Sequence, residues 1–322
     1  MMKLSIQLVT NKLKNTVVFL FGPTAVGKTD LISKVFFRNF EVVNTDSVQI
    51  YKYLDIGSAK ADEKERRIVP HHLLNIRDPW QDFSVGEFIE EADLACEKIW
   101  EKGKIPLLCG GTAFYFKHFM YGLSNAPKSD LEIRNKVKIQ IENDGLKKSF
   151  ERLKNIDSIT AGRIHPNDSY RISRALEIYE ATGKPQSSFA LRTELRNDLD
   201  IHTIGLIRDR KVLNERIRKR VEIMFTEGLQ TEINSLYGLG ATKEWPAMKA
   251  IGYKEFFVPE KVANPLNMND DQIKEIKERI SMNSIHYAKR QRTFFKSFTN
   301  VNWVEPDNID QVSKLLSNWH LQ

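Results

Sequence analysis

Eight residues, Gly22-Pro-Thr-Ala-Val-Gly-Lys-Thr29, constrain this chain more than any others. Residues 16–21, TVVFLF, precede them with the pattern of a buried strand, and LISKVFF follows with helical spacing. A loop of the form G-x-x-x-x-G-K-[ST] between a strand and a helix is a phosphate cradle. Its glycines let backbone N–H groups curl around phosphate oxygens. The lysine adds a point charge, and the following helix aims its positive end at the same anion. Gly22, Pro23, Thr24, Ala25, Val26, Gly27, Lys28 and Thr29 are therefore the candidate diphosphate-binding residues. The Thr29 hydroxyl is the candidate ligand for Mg²⁺.

The rest of the chain supplies a sheet around that loop. Residues 41–45, EVVNT, and 105–109, IPLLC, form two more short strand patterns, with an amphipathic helix predicted over 83–101. Residues 201–207, IHTIGLI, resume the strand pattern. Strands alternating with helices predict a mostly parallel sheet flanked by helices, an α/β core of the P-loop NTPase-like kind. Between about 124 and 198 the strand runs vanish, and LEIRNKVKIQIEND, LKKSFERLKN and DSYRISRALEIYEATGK carry apolar residues at three-to-four spacing. The expected organisation is a core built from 1–123 and 199–322, with an all-helical insertion domain at 124–198.

Several classes are excluded. The longest apolar run, 16–21, falls far short of the roughly 18–20 residues that span a bilayer. Cys96 and Cys109 are the only cysteines, too few for a disulfide framework. The first fifteen residues lack the apolar centre and cleavage site of a secretory leader, so a cytoplasmic protein is expected. Forty-nine Lys and Arg against 42 Asp and Glu give a net charge of +7, a mild invitation to a polyanion. His71-His72 has no cysteine or carboxylate motif beside it, which favours a structural role over a metal.

A phosphate loop signals a diphosphate or longer chain, not ATP hydrolysis. ATPases usually hold Mg²⁺ with an Asp at the end of a second apolar strand. Here that strand runs into Gly110-Gly111-Thr112. A small-molecule kinase remains, or a transferase whose donor carries a diphosphate leaving group. Asp46 stands just beyond EVVNT, at the strand edge where open α/β sheets bind ligands. A carboxylate there is either a proton acceptor or a turn-forming residue. The pattern from Asp209 to Phe225 reads as a helix with Leu213, Ile217 and Met224 in one apolar stripe. Arg220 falls in the middle of the stripe and Arg216 lies beside it. An inward guanidinium needs an anion, either a diphosphate or a structural carboxylate.

With these residues in place, the chain resembles the bacterial tRNA dimethylallyltransferase (IPP transferase) family. The matching stretches are the phosphate loop, Thr45-Asp-Ser-Val-Gln-Ile-Tyr-Lys52, Asp55-Ile-Gly-Ser-Ala-Lys60 and His71-His-Leu73. They continue through Gly110-Gly-Thr112, Tyr115-Phe-Lys117, Arg163-Ile-His-Pro-Asn-Asp168 and Tyr170-Arg-Ile-Ser-Arg-Ala-Leu-Glu177. Ile251-Gly-Tyr253 and Ala288-Lys-Arg-Gln291 complete them, so the resemblance runs from residue 22 to about 295. Two departures are local: Asn75 stands where the family commonly has Asp, and Arg292-Thr-Phe294 where it often has Thr-Trp.

The resemblance implies a P-loop core with a helical insertion, acting on tRNA; a monomer is expected. It implies that the phosphate loop binds dimethylallyl diphosphate with Mg²⁺, and that Asp46 is the general base on the exocyclic amine of the target adenine. Thr24, Lys28 and an arginine of the RIxxR segment, Arg216 or Arg220, would assist the departing diphosphate. The tRNA anticodon stem-loop would be touched by Asp46, Ser47, Val48, Gln49, Thr112 and Arg134. It would also be touched by Tyr170, Arg171, Ile172, Ser173 and Arg174, and by Met248, Lys249, Ala250, Ile251, Gly252 and Tyr253. The chemistry suits this. Arg171 and Arg174 share a helix face and can reach adjacent phosphates, and Tyr170 and Tyr253 offer stacking platforms. Lys289, Arg290 and Arg292 with Phe294 and Phe295 form a basic–aromatic strip. A P-loop kinase and a non-catalytic, nucleotide-gated RNA-binding protein are the alternatives.

Overall fold

The computed structural model describes residues 15–127, 130–189, 194–257 and 265–321. The chain divides into two compact units, one made of 1–120 with 197–322 and the other of 121–196.

In the first unit, six strands form a wholly parallel sheet in the order β3-β2-β4-β1-β5-β6. They are β1 (Thr16–Phe21), β2 (Phe40–Asn44), β3 (His71–His72), β4 (Ile105–Gly110), β5 (Asp200–Leu206) and β6 (Asn302–Val304). β1 lies at the centre, with Leu20 opposite Cys109 of β4 on one side and Ile204 of β5 on the other. The chain steps from β1 one way to β4 and β2, and returns to the other side with β5. This reversal puts the loop after β1 at the switch point, where such sheets bind ligands.

Every residue of β1 is buried, as a strand covered on both faces requires. Val18 and Leu20 face a core built with Leu31, Ile32, Leu213, Ile217, Val312 and Leu316. These come from α1 (Lys28–Val35), α9 (Arg210–Thr226) and α12 (Ile309–Asn318). Phe19 and Phe21 point the other way, against Phe116, Phe119 and Phe295. Alternation along one strand thus ties two helical layers to one sheet. The predicted helix at 83–101 is α3 (Val85–Glu101), started by a capping box between Ser84 and Glu87. Before it lies α2 (Glu63–Ile68), and after β4 comes α4 (Ala113–Tyr121). A second core joins Ile50, Leu54, Val221, Met224, Met248, Tyr253, Phe256 and Ile276. It packs α9 against α10 (Leu229–Gly238) and α11 (Asp270–Phe295).

The second unit holds α5 (Leu131–Asp144), α6 (Leu146–Ile156), α7 (Ser158–Ala161) and α8 (Ser169–Thr182). Asp130 and Asp168 cap α5 and α8 by accepting from the Ile133 and Arg171 amides. Gly183, in the left-handed conformation, ends α8. Val137, Phe150, Leu153, Ile172, Ala175 and Leu176 form the core of this unit. No helix among the described residues is long and apolar enough to cross a membrane.

Candidate active site

The phosphate loop joins β1 to α1 with Ala25 at φ 61° and Gly27 at φ 117°. Its carbonyls are turned onto cations. Lys28 Nζ donates to the carbonyls of Gly22 at 3.0 Å and Pro23 at 3.1 Å. Arg216 Nε donates to Ala25 O at 2.9 Å, and Arg208 Nε to Val26 O at 3.1 Å. The first N–H groups of α1 have no partner within the helix and are left for an anion. Arg220 donates to the Thr24 hydroxyl at 3.3 Å. The loop, Lys28, Arg216 and Arg220 are therefore brought together. Thr29 is the second residue of α1, half-buried beside Lys28.

Asp46 follows β2 on the same edge of the sheet. One carboxylate oxygen, Oδ1, accepts from Val48 N at 2.9 Å and forms a local turn. The turn-forming reading of Asp46 thus holds for one of its two oxygens. Burial raises its carboxyl above the ordinary range, opposed by the Val48 amide and by the Lys28 ammonium. Burial also brings Lys28 down to about 8, a shift that Arg220 adds to and Asp46 opposes. Thr112 belongs to the same cluster, since its hydroxyl accepts from Ser47 N at 3.0 Å and donates to Ser47 Oγ at 3.3 Å. Gln49 turns inward and donates to the carbonyls of Ser58 and Ala59.

The glycines that end β4 have a geometric reason. A Cβ on Gly110 would lie 2.1 Å from the Thr45 carbonyl oxygen. The Thr45 backbone fills the space into which any side chain at this strand end would project. Among the described residues, no three His, Cys, Asp or Glu side chains are grouped to hold a metal. The Thr29 hydroxyl is the group at the loop suited to a hard cation.

The RNA-facing expectations divide. Tyr253 is fully buried and its hydroxyl donates to Glu232 Oε1 at 2.7 Å, so it is no stacking platform. Met248 and Ile172 also lie in cores, and Phe295 stacks on Phe21 at 4.6 Å inside the protein. In each case an apolar or aromatic residue that fits an RNA surface fits a core better. Lys249 is exposed, Ala250 and Ile251 are half-buried, and Gly252 is buried. His286, Lys289, Arg290, Thr293 and Phe294 line a shallow groove of about 420 Å³ on α11. In the helical unit, Tyr170 is 78% exposed and Arg134 is exposed. Arg171 is paired with Asp168 at 2.7 Å, and Arg174 donates to the Pro127 carbonyl at 2.8 Å. Ser173 donates to Glu177.

Other residues escaped the sequence reading. Gln291 bonds both Thr24 N and Gly111 O. Its signal was a polar residue among Ile276, Ile280, Ala288 and Phe295 on the buried stripe of α11. Glu232 accepts from the amides of Asp55, Ile56 and Gly57, tying the 55–60 turn to α10. Lys60, with a side chain 2% exposed, donates to Tyr51 O, Asp55 Oδ1 and Asn75 Oδ1. Asn75 therefore keeps the acceptor that the more usual Asp would supply. His72 bonds the buried Glu41 at 2.7 Å and His71 bonds Val69 O, so this pair orders the sheet edge.

Fold and site together define a P-loop protein in which the Asp46 carboxylate and three cationic side chains gather at the loop. The sequence model of the IPP transferase family matches residues 49–298. The tRNA dimethylallyltransferase of Borrelia turicatae is 40% identical over 295 residues, covering 92% of this chain and 96% of the relative. That of Alkaliphilus oremlandii is 36% identical over 307 residues, covering 94% and 95%. The crystal structure of the Bacillus halodurans tRNA isopentenylpyrophosphate transferase has a TM-score of 0.65 at 34% identity, covering 95% of this chain and 96% of its own. A eukaryotic dimethylallyltransferase acting on tRNA gives 0.76 at 28% identity, covering 95% and 78%. The chain belongs to the IPP transferase family.

Proposed function

We propose that this protein transfers a dimethylallyl group from dimethylallyl diphosphate to the exocyclic amine of the adenosine immediately 3′ of the anticodon in tRNA. Diphosphate is released. The observation that carries the reading is the Asp46 carboxylate set close enough to Lys28 of the phosphate loop for each to shift the other's pKa, beside a strand that ends in glycine rather than an acid. Such a site can bind a diphosphate and accept a proton, yet it lacks the acid of an ATPase.

In the proposed reaction the adenine is extruded from the anticodon loop, because a stacked base cannot present its amine. The amine nitrogen attacks the allylic carbon bonded to the diphosphate oxygen. The carbon–oxygen bond breaks, its electron pair leaves with diphosphate, and the amine proton passes to Asp46. Loop amides, Lys28 and Arg220 face the charge that develops on the leaving group, the largest expected contribution. The hydroxyl of Thr24, already held by Arg220, faces the same oxygens. The Thr29 hydroxyl would hold magnesium, which would supply further positive charge. The proposed tRNA substrate accords with a cytoplasmic reaction, and Arg134, Tyr170, Arg171, Arg174 and the α11 groove are candidate contacts.

The test is the mass of tRNA from a strain lacking this modification, after incubation with the protein, Mg²⁺ and dimethylallyl diphosphate. A gain of one dimethylallyl group on that adenosine is expected. ATP turnover with unmodified tRNA would overturn the reading.

A further inference from the structure

Gln291 lies on the inward face of α11, 4% exposed. Its amide oxygen accepts from Thr24 N at 2.9 Å, and its amide nitrogen donates to Gly111 O at 2.7 Å. The two partners belong to opposite sides of the site. Thr24 is in the diphosphate loop. Gly111 leads into Thr112, whose hydroxyl holds the Ser47 amide next to Asp46. A Cβ on Gly111 would stand 2.5 Å from the Gln291 nitrogen, so only glycine lets the amide close on this backbone.

We infer that Gln291 is a positioning residue that fixes the diphosphate loop at a set distance from the segment carrying Asp46. A buried amide with both ends committed has no slack, so it transmits position directly. It also consumes the Thr24 N–H, which leaves the amides at the start of α1 to meet the diphosphate. The effect on turnover rests on the prenyl-transfer reading, but the effect on diphosphate binding does not.

Two substitutions separate this role from simple packing. In Gln291→Glu the ionised side chain still accepts from Thr24 N, but its second oxygen faces the Gly111 carbonyl. Once protonated, it offers one acceptor and one donor, as the amide does. Gln291→Met loses both bonds at every pH. The measurement is calorimetric binding of inorganic diphosphate with Mg²⁺, taken as the ratio of variant to wild-type Kd. Lys28, Asp46, Arg220, Cys109 and Tyr287 also surround this point and are common to both proteins, so the ratio cancels what they contribute. For Gln291→Glu the ratio is expected to be about tenfold at pH 8 and to close towards one near pH 6. For Gln291→Met it is expected to stay near tenfold throughout. A packing role would lower Tm without a pH-dependent ratio. Folded variants that bind diphosphate as wild type does at pH 8 would overturn the inference. A wild-type protein that binds diphosphate but prenylates no tRNA would instead overturn the proposed function and leave the clamp standing.

Discussion

The Arg220 guanidinium reaches the Thr24 hydroxyl at 3.3 Å, joining α9 to the diphosphate loop across 196 positions of sequence. Burial lowers the Arg220 pKa, and the neighbouring Arg216 lowers it further. Among the described residues no carboxylate oxygen lies within ion-pair distance of Arg220. The stripe of apolar residues around it therefore delivers a charge to the loop rather than to a structural partner.

Two substitutions should behave as one. Arg220→Met is expected to lower kcat/KM for the donor by about 10²–10³. Thr24→Val should cost less, because the guanidinium keeps its charge. Since the two groups are bonded, the double variant should be scarcely worse than Arg220→Met alone. Steady-state kinetics on the four proteins measures the coupling, and fully additive losses would refute it.

The pH dependence follows from Asp46 and Lys28. In its proposed role as base Asp46 must be ionised, and burial raises its carboxyl. The acid limb of kcat/KM should therefore sit above the ordinary value of about 3.9. In its proposed role Lys28 must be charged to hold the anion, and burial brings its pKa down to about 8. Below that pH its charge is present, and as pH rises through it donor affinity should fall. A bound diphosphate favours the ammonium, so the alkaline limb should appear in kcat/KM and move upward in kcat. Lys28→Arg stays charged and should lose that limb. A flat profile from pH 7 to 9 in the wild type would contradict the account.

What could be read from the sequence was whatever local pattern and short-range spacing control. The β1–loop–α1 unit is a contiguous run, so TVVFLF and the phosphate loop announced it. α5, α6 and α8 carry three-to-four periodicity, α5 and α8 with their own side-chain caps, and they form where expected. β3 and β6 are two and three residues long, and their pairing with β2 and β5 is set by tertiary neighbours. Gln291 illustrates the same limit within the site. Its partners lie 267 and 180 positions away, a distance no local pattern reports. Tyr253 shows the converse error. An aromatic beside glycine resembles a stacking surface, but the Glu232 carboxylate that occupies its hydroxyl is invisible in sequence.

Tyr253 gives the next prediction. Its hydroxyl is one of four donors to Glu232, beside the amides of Asp55, Ile56 and Gly57. Tyr253→Phe should lower stability by about 1–2 kcal/mol and leave RNA affinity unchanged. Glu232→Gln should cost more, because its amide nitrogen would face donors. Denaturant unfolding and RNA binding on both variants distinguish the roles. Because Phe keeps the ring, the stacking role is tested by Tyr253→Leu, and weaker RNA binding in a folded Tyr253→Leu while Tyr253→Phe binds normally would restore it.

The last prediction concerns the far edge of the sheet. Glu41 is 3% exposed on β2, and accepts from Lys102 Nζ at 2.8 Å and bonds His72 Nε2 at 2.7 Å. Burial alone would raise its carboxyl, but the Lys102 and His72 hydrogen bonds prevail and hold it below the usual range. A carboxyl lowered on folding contributes stability that is full above its unfolded pKa, about 4.3, and is lost as pH falls through its folded value. Glu41→Gln should therefore be about 1–3 kcal/mol less stable than wild type at pH 7. The gap should shrink as pH falls below about 4, because protonation removes the same charge from the wild type. Guanidinium unfolding of both proteins at pH 7, 5 and 3.5 tests this, and a gap that stays constant with pH would mean that packing, not charge, is what Glu41 contributes.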